Sequence, residues 1–154
     1  MKHSNPVQEE LIRILREKFR VIAGKFVIPP PVFIAMRGEV LDFDIDRGFL
    51  KIKFPVLNEH LNPFGNMQGG MIAAAVDNTL GPLSMAVAPP NFTRHFEIKY
   101  RRAIPLATGY LFVSGYLEGQ KKQQLCFSAT VMDSAGQKLA AAKSTHWIID
   151  QVAG

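Results

Sequence analysis

The 154 residues predict an α+β domain: a curved antiparallel sheet wrapped around one buried helix. Three observations lead there. The stretch from Gly69 to Val87 has a helical pattern that is apolar on most faces, so it needs covering on most faces. Two alternating runs before it read as a hairpin, and four alternating runs after it are punctuated by short turns. Strands with one apolar face each are the available covering for such a helix.

The elements follow in order. Asn5 before Pro6 is a helix start: Asn caps a free N–H and Pro tolerates the first turn. Glu9 and Glu10 then sit near the positive end of the helix dipole. Leu11, Ile12, Leu15 and Phe19 recur at helical spacing, which predicts an amphipathic helix over Pro6–Phe19. "IPPPVF" (Ile28–Phe33) is expected to be an extended, non-helical connector. The domain plan is therefore an N-terminal helix and proline-rich connector over 1–34, and the main α+β unit over 35–154.

Val40, Phe43 and Ile45 precede an Asp46-Arg47-Gly48 turn, and Leu50, Ile52 and Phe54 follow it, the alternation of a hairpin. Residues 56–68 read as loop, with Asn58, Asn62, Pro63 and Gly65. Helix is expected from Gly69 to Val87, with a bend or break near Gly81 because Pro82 lies inside it. The last third reads as an antiparallel meander, with turns at Pro105, Gly119-Gln120 and Ser134-Ala135-Gly136.

Composition is that of a folded domain: 47% hydrophobic, 20% charged, net charge +5. No Lys/Arg block is long enough for a nucleic-acid arm, although a mildly basic surface suits a phosphate-bearing ligand. The lone Cys126 permits no internal disulfide and reads as a packed strand residue. No apolar leader core or membrane span stands out, so a soluble, cytoplasmic protein with no membrane partner is expected. The spacing of His60, His95 and His146 suggests no metal site. Of these, His95 lies nearest the strand that follows the motif described next.

That motif is "NPFGNMQGGMIAAAVDN", Asn62–Asn78. Asp77 follows Met71–Val76 with small Ala73 one turn before it and Gly81 one turn after it. No helical partner lies three or four residues away. The pattern there looks buried, and a buried, unpaired carboxylate is costly, so either Asp77 has a partner from elsewhere in the fold or it borders a cavity or an interface, both of which are places for chemistry. Gly69 and Gly70 stand where loop becomes helix. Their N–H groups lack intrahelical partners and no Cβ keeps a substrate oxygen away, an oxyanion-type arrangement, although a Gly-Gly pair alone is explained as well by a sharp entry to the helix and close packing. Eight helical residues rise about 12 Å, too far for Asp77 and the Gly69 N–H to serve one carbonyl. Two such helices packed antiparallel about a two-fold would bring the acid of one chain beside the helix start of the other.

With Asn62, Gly65, Gly69, Gly70, Asp77 and Asn78 at these positions, the chain resembles the hot-dog-fold acyl-CoA thioesterases of the phenylacetate-pathway and human thioesterase-superfamily-member-2 type. The passages "FEIKYRRAIPLATGYLFVSGYL" and "SAGQKLAAAKSTHWII" are similar to later strands of that family. The resemblance implies a homodimer or dimer of dimers that hydrolyses an acyl-CoA. It needs no cofactor, coenzyme A being part of the substrate. Asp77 would be general base or nucleophile, and the Gly69 N–H would polarise the thioester carbonyl. Asn62 would help hold the water, and Thr93 would assist. Gly70, Met71 and Asn78 fall on the substrate side, and Lys99, Arg101 and Arg102 are candidates for the nucleotide phosphates. Met67, Met71, Leu80, Leu83 and Met85 are expected to line an acyl pocket. One position departs from the pattern: Gln68 stands where the family usually has His, and Gln donates a hydrogen bond but does not titrate. Gln68 therefore also supports an alternative, a non-catalytic acyl-CoA or acyl-lipid binding protein. A hydratase of the same fold fits less well, for want of a His with an accompanying acid at the motif positions.

Overall fold

The computed structural model describes residues 5–20 and 26–149. Among these residues six strands, β1 (Glu39–Asp44), β2 (Phe49–Pro55), β3 (Asn91–Tyr100), β4 (Tyr110–Lys121), β5 (Gln124–Met132) and β6 (Lys138–Ile148), form one antiparallel sheet in the order β1-β2-β4-β5-β6-β3. Helix α1 is Pro6–Lys18. Asn5 is its cap, accepting from the Gln8 N–H at 3.1 Å, and Leu11, Leu15 and Phe19 turn inward. The same Asn5 donates to the Val40 carbonyl, and Gln8 accepts from the Val40 N–H. Helix α1 thereby closes the outer edge of strand β1 (Glu39–Asp44). At its far end the Lys18 ammonium donates to the carbonyls of Met85, Ala86 and Ala88 at 2.8, 3.0 and 2.8 Å. Burial there lowers the pKa of Lys18 below the ordinary lysine value.

The proline run is not wholly extended. Helix α2 spans Pro31–Ala35, one short helix with Pro30 as its extended cap. Pro31 takes the first helical position, where the missing N–H is not needed and the fixed φ already fits. Phe33 of α2 packs edge-on to Phe54, ring centroids 6.1 Å apart. The division expected at 34/35 thus falls inside α2, and parts of both proposed segments lie outside the described residues.

Strand β2 is Phe49–Pro55 and pairs with β1 as the hairpin pattern predicts. Helix α3 is Gly69–Val87, unbroken by Pro82. An interior proline costs about 3 kcal/mol. Buried Val76, Thr79, Leu80 and Leu83 hold the helix against the sheet around it, and such packing outweighs local propensity. Ser84 also returns a hydrogen bond to the Gly81 carbonyl at 2.7 Å. Gly115, in strand β4 (Tyr110–Lys121), makes this packing possible, since a Cβ there would stand 2.8 Å from Leu80.

The four late runs are not a simple meander. Strands β4, β5 (Gln124–Met132) and β6 (Lys138–Ile148) are consecutive hairpins, whereas β3 (Asn91–Tyr100) pairs only with β6 at the far edge. The reason is the reach of α3. Nineteen residues span about 28 Å, enough to cross the four strand spacings from β2 to β3, about 19 Å. The expected turn at Gly119-Gln120 lies instead within β4, where Gly119 sits at a bulge; the reversal comes at Lys122, whose φ is +54°. The last strand ends at Ile148.

Helix α3 is not covered on every side. Ile72, Ala75, Val76, Leu80 and Leu83 are buried against the sheet, while Gly70 and Asp77 are exposed and Ala73, Ala74, Asn78 and Gly81 half-buried. A stripe of small side chains with one acid therefore faces outward beside the edge strand β3.

Candidate functional site

The loop before α3 is knotted by its own amides. The Asn62 side-chain oxygen accepts from the N–H groups of Phe64 and Asn66 at 2.9 and 3.2 Å, and its backbone bonds to Asn66 and Gly65. Only the Asn62 amide nitrogen is left to meet a ligand. Met67 N–H bonds to the Ile104 carbonyl and Gln68 N–H to the His60 carbonyl, which pins the loop to the body of the molecule. Gln68 caps α3 in an extended conformation, with an exposed side chain that makes no capping bond. Gly69 and Gly70 are the first two helical residues, and their N–H groups have no carbonyl one turn earlier to bind.

Two separate clefts open on the chain. The first, about 330 Å³, includes Asn62, Gly69, Ile72, Tyr100, Arg101 and Arg102 in its wall. The second, about 270 Å³, is lined by Gly70, Ala73, Ala74, Asp77, Thr93 and Phe96. The helix explains the separation: Asp77 lies eight residues beyond Gly69, about 12 Å along the axis and about 80° around it. A larger depression of about 830 Å³ between α1 and residues 26–28 lies away from both.

Asp77 is exposed, not buried, because nothing among the described residues covers its stripe of α3. It is not unpartnered: the Thr93 hydroxyl donates to its carboxylate at 3.1 Å. Behind Thr93 lies His146, 1% exposed, its Nε2 3.5 Å from the same hydroxyl and its Nδ1 3.0 Å from the Asn91 side-chain oxygen. Asn91 directs its amide nitrogen at the carbonyls of Ser84 and Pro89, so its oxygen faces the ring. The neutral imidazole then carries its proton on Nδ1 and presents a lone pair at Nε2. Burial pushes His146 below the ordinary histidine pKa, with the Asp77 carboxylate pulling the other way. His146, not His95, is thus the imidazole tied to the motif; His95 is exposed beside Glu97 at 3.9 Å. The sequence signal that marks His146 is its place on the inward face of β6, opposite Thr93 in the register.

Other expected site residues distribute as follows. Arg101 and Arg102 reach the cleft of Gly69, whereas Lys99 alternates with Tyr100 and projects from the opposite face of β3. Asn78 turns away from Asp77 and spends its amide on the Ala74 carbonyl at 2.8 Å and the Met36 sulfur at 3.6 Å. Met71 and Met85 are half-buried, but Met67, Leu80 and Leu83 are core residues rather than pocket lining, because α3 turns them to the sheet. Among the described residues no group of His, Cys, Asp and Glu is arranged to hold a metal, and no helix is long and apolar enough to cross a membrane.

No protein-family profile matches the chain, and no curated protein matches it. Solved structures do. PaaI of the E. coli phenylacetic acid degradation operon is 14% identical, with a TM-score of 0.75 over 91% of this chain and 96% of its own. A candidate thioesterase of Ralstonia eutropha, related to phenylacetic acid degradation, is 22% identical with a TM-score of 0.73 over 85% and 98%. A Streptococcus mutans protein bound to acetyl-CoA is 22% identical with a TM-score of 0.68 over 74% and 90%. The architecture is the hot-dog fold that these proteins share.

Proposed function

We propose that this chain is a hot-dog-fold acyl-CoA thioesterase whose active sites form between two copies. The observation that carries the reading is the division of the motif into two clefts. One holds the Gly69 N–H and two arginines, the other the Asp77 carboxylate with a hydroxyl beside it. Neither set suffices alone. A two-fold that packs α3 antiparallel on its copy brings Asp77 of one protomer to the Gly69 end of the other, twice. The sheet edges support this. Edge strand β1 is closed by Asn5 and Gln8 at Val40, but β3, ten residues long, offers an edge with no strand beyond it among the described residues. Such an edge invites pairing, and the small residues of α3 beside it permit close helix approach.

In this arrangement the N–H of Gly69 polarises the thioester carbonyl at the positive end of α3. Asp77 either deprotonates water, which attacks the carbonyl carbon, expels the coenzyme A thiolate and gives the free acid, or attacks that carbon itself, expelling the thiolate to leave a mixed anhydride that water then hydrolyses to the free acid and the free carboxylate. Thr93 orients the carboxylate by the hydrogen bond it donates. Asn62 retains one amide donor for water, and Arg101 and Arg102 face nucleotide phosphates. Coenzyme A enters as part of the substrate. Gln68 favours a second reading, a binding protein without turnover, because no titratable group replaces the usual His.

Thiol release from a panel of acyl-CoAs separates the two. Turnover that disappears in Asp77→Asn, with the wild-type fold kept, supports hydrolysis. Ligand-raised melting with no thiol release supports binding alone.

A further inference from the structure

We infer that Tyr100 is a positioning residue of this site, holding and polarising the peptide that opens α3; the inference rests on the thioesterase reading above. The Tyr100 hydroxyl donates to the Gly69 carbonyl at 2.7 Å. That oxygen belongs to the same peptide unit as the Gly70 N–H, the second unpartnered donor at the helix start. A hydrogen bond into a peptide oxygen polarises the unit and strengthens its N–H as a donor. The preceding unit is treated the same way. The Gln68 carbonyl accepts from Met71 and Ile72 at 2.9 and 3.1 Å, and it shares its peptide with the Gly69 N–H. Both donors at the entrance of α3 are therefore polarised from behind, one by the helix and one by a side chain from β3.

The ring makes the contact specific. A Cβ at Gly69 would stand 3.1 Å from the Tyr100 Cζ and 3.2 Å from its oxygen, so this approach favours glycine at position 69. At Gly70 a Cβ would meet nothing within 4 Å, and Gly70 lines the cleft that holds Asp77. Tyr100 also lines the cleft with Arg101 and Arg102. Partial burial raises its phenol above the ordinary tyrosine pKa.

The test is Tyr100→Phe in the full chain, which keeps the ring and removes the donor. We expect kcat to fall about threefold to tenfold with KM unchanged. In NMR spectra the Gly69 carbonyl carbon and the Gly70 amide proton should both move upfield. An unchanged kcat, or a loss carried by KM, overturns the inference. If wild-type protein turns over no acyl-CoA, the hydrolase reading fails on its own. The carbonyl resonance then decides: a shift in Tyr100→Phe supports the polarised peptide, and an unmoved resonance overturns it.

Discussion

Two crippled chains should repair each other. Take Asp77→Asn, which keeps the size of the side chain and a partner for Thr93 but removes the base. Take separately Gly69→Pro, which removes the N–H donor at the first helical position, where proline is otherwise tolerated. The proline Cβ would press on Tyr100 at 3.1 Å, an approach the ring must yield to by a few tenths of an ångström. Loss of a general base costs about 10²- to 10⁴-fold and loss of an oxyanion donor about 10²- to 10³-fold. Each homodimer should therefore retain on the order of 1% activity or less. In a mixed dimer, the site that joins Asp77 of the proline chain to Gly69 of the asparagine chain is intact. Its twin carries both lesions. Random mixing makes half the dimers hybrid with one good site in two, so about a quarter of the wild-type rate should return. The assay is thiol release after the two proteins are unfolded together and refolded, with each variant refolded alone as reference. Activity no higher than the mean of the parents would refute the shared-site argument, because a site within one chain cannot be rebuilt this way.

Two further outcomes test the supports of the site. His146 resists protonation when folded, so the unfolded chain binds the proton first as pH falls through the ordinary histidine range. Stability should be complete above that range and decline below it; His146→Phe should be less stable near neutrality and lack that acid limb in melting curves against pH. Lys18→Met removes the cation that binds three carbonyls at the end of α3. A loss of about 1–2 kcal/mol, or roughly 2–8 °C in Tm, is expected by calorimetry.

Local pattern carried most of the fold. The limits of α3, the first hairpin and the cap at Asn5 follow from spacing and chain chemistry alone, and the structure has them. What failed is what depends on distant parts. Pro82 looks like a break until the sheet contacts of Leu80 and Leu83 are counted. β3 looks like the neighbour of β4 until the length of α3 carries it across the sheet. Asp77 looks buried because its sequence neighbours are apolar, yet those neighbours spread around a helix whose one open side is the side it occupies. Lys18 and Tyr100 carry no local signal, since their partners lie 67 and 31 positions away.

The pairing of Asp77 with Thr93 and His146 bears on how a chain with Gln68 could manage protons. Among the described residues that meet in the Asp77 cleft, only Asp77 is ionisable. The buried His146 is one residue further back, its pKa lowered by that burial. With its proton directed to Asn91, its free Nε2 faces the Thr93 hydroxyl, which already donates to Asp77. A single hydroxyl proton serves one acceptor at a time. Thr93 can swing between carboxylate and imidazole, so that a proton gained by Asp77 from water would release Thr93 toward His146. Such a switch would need no titrating residue at position 68, whose part would reduce to donating a hydrogen bond. Thr93→Val, which keeps the shape and removes the hydroxyl, separates the two roles. If Thr93 only orients Asp77, the drop in kcat should be the same at every pH. If it also couples to His146, the drop should shrink at low pH, where the imidazole is protonated and already uncoupled.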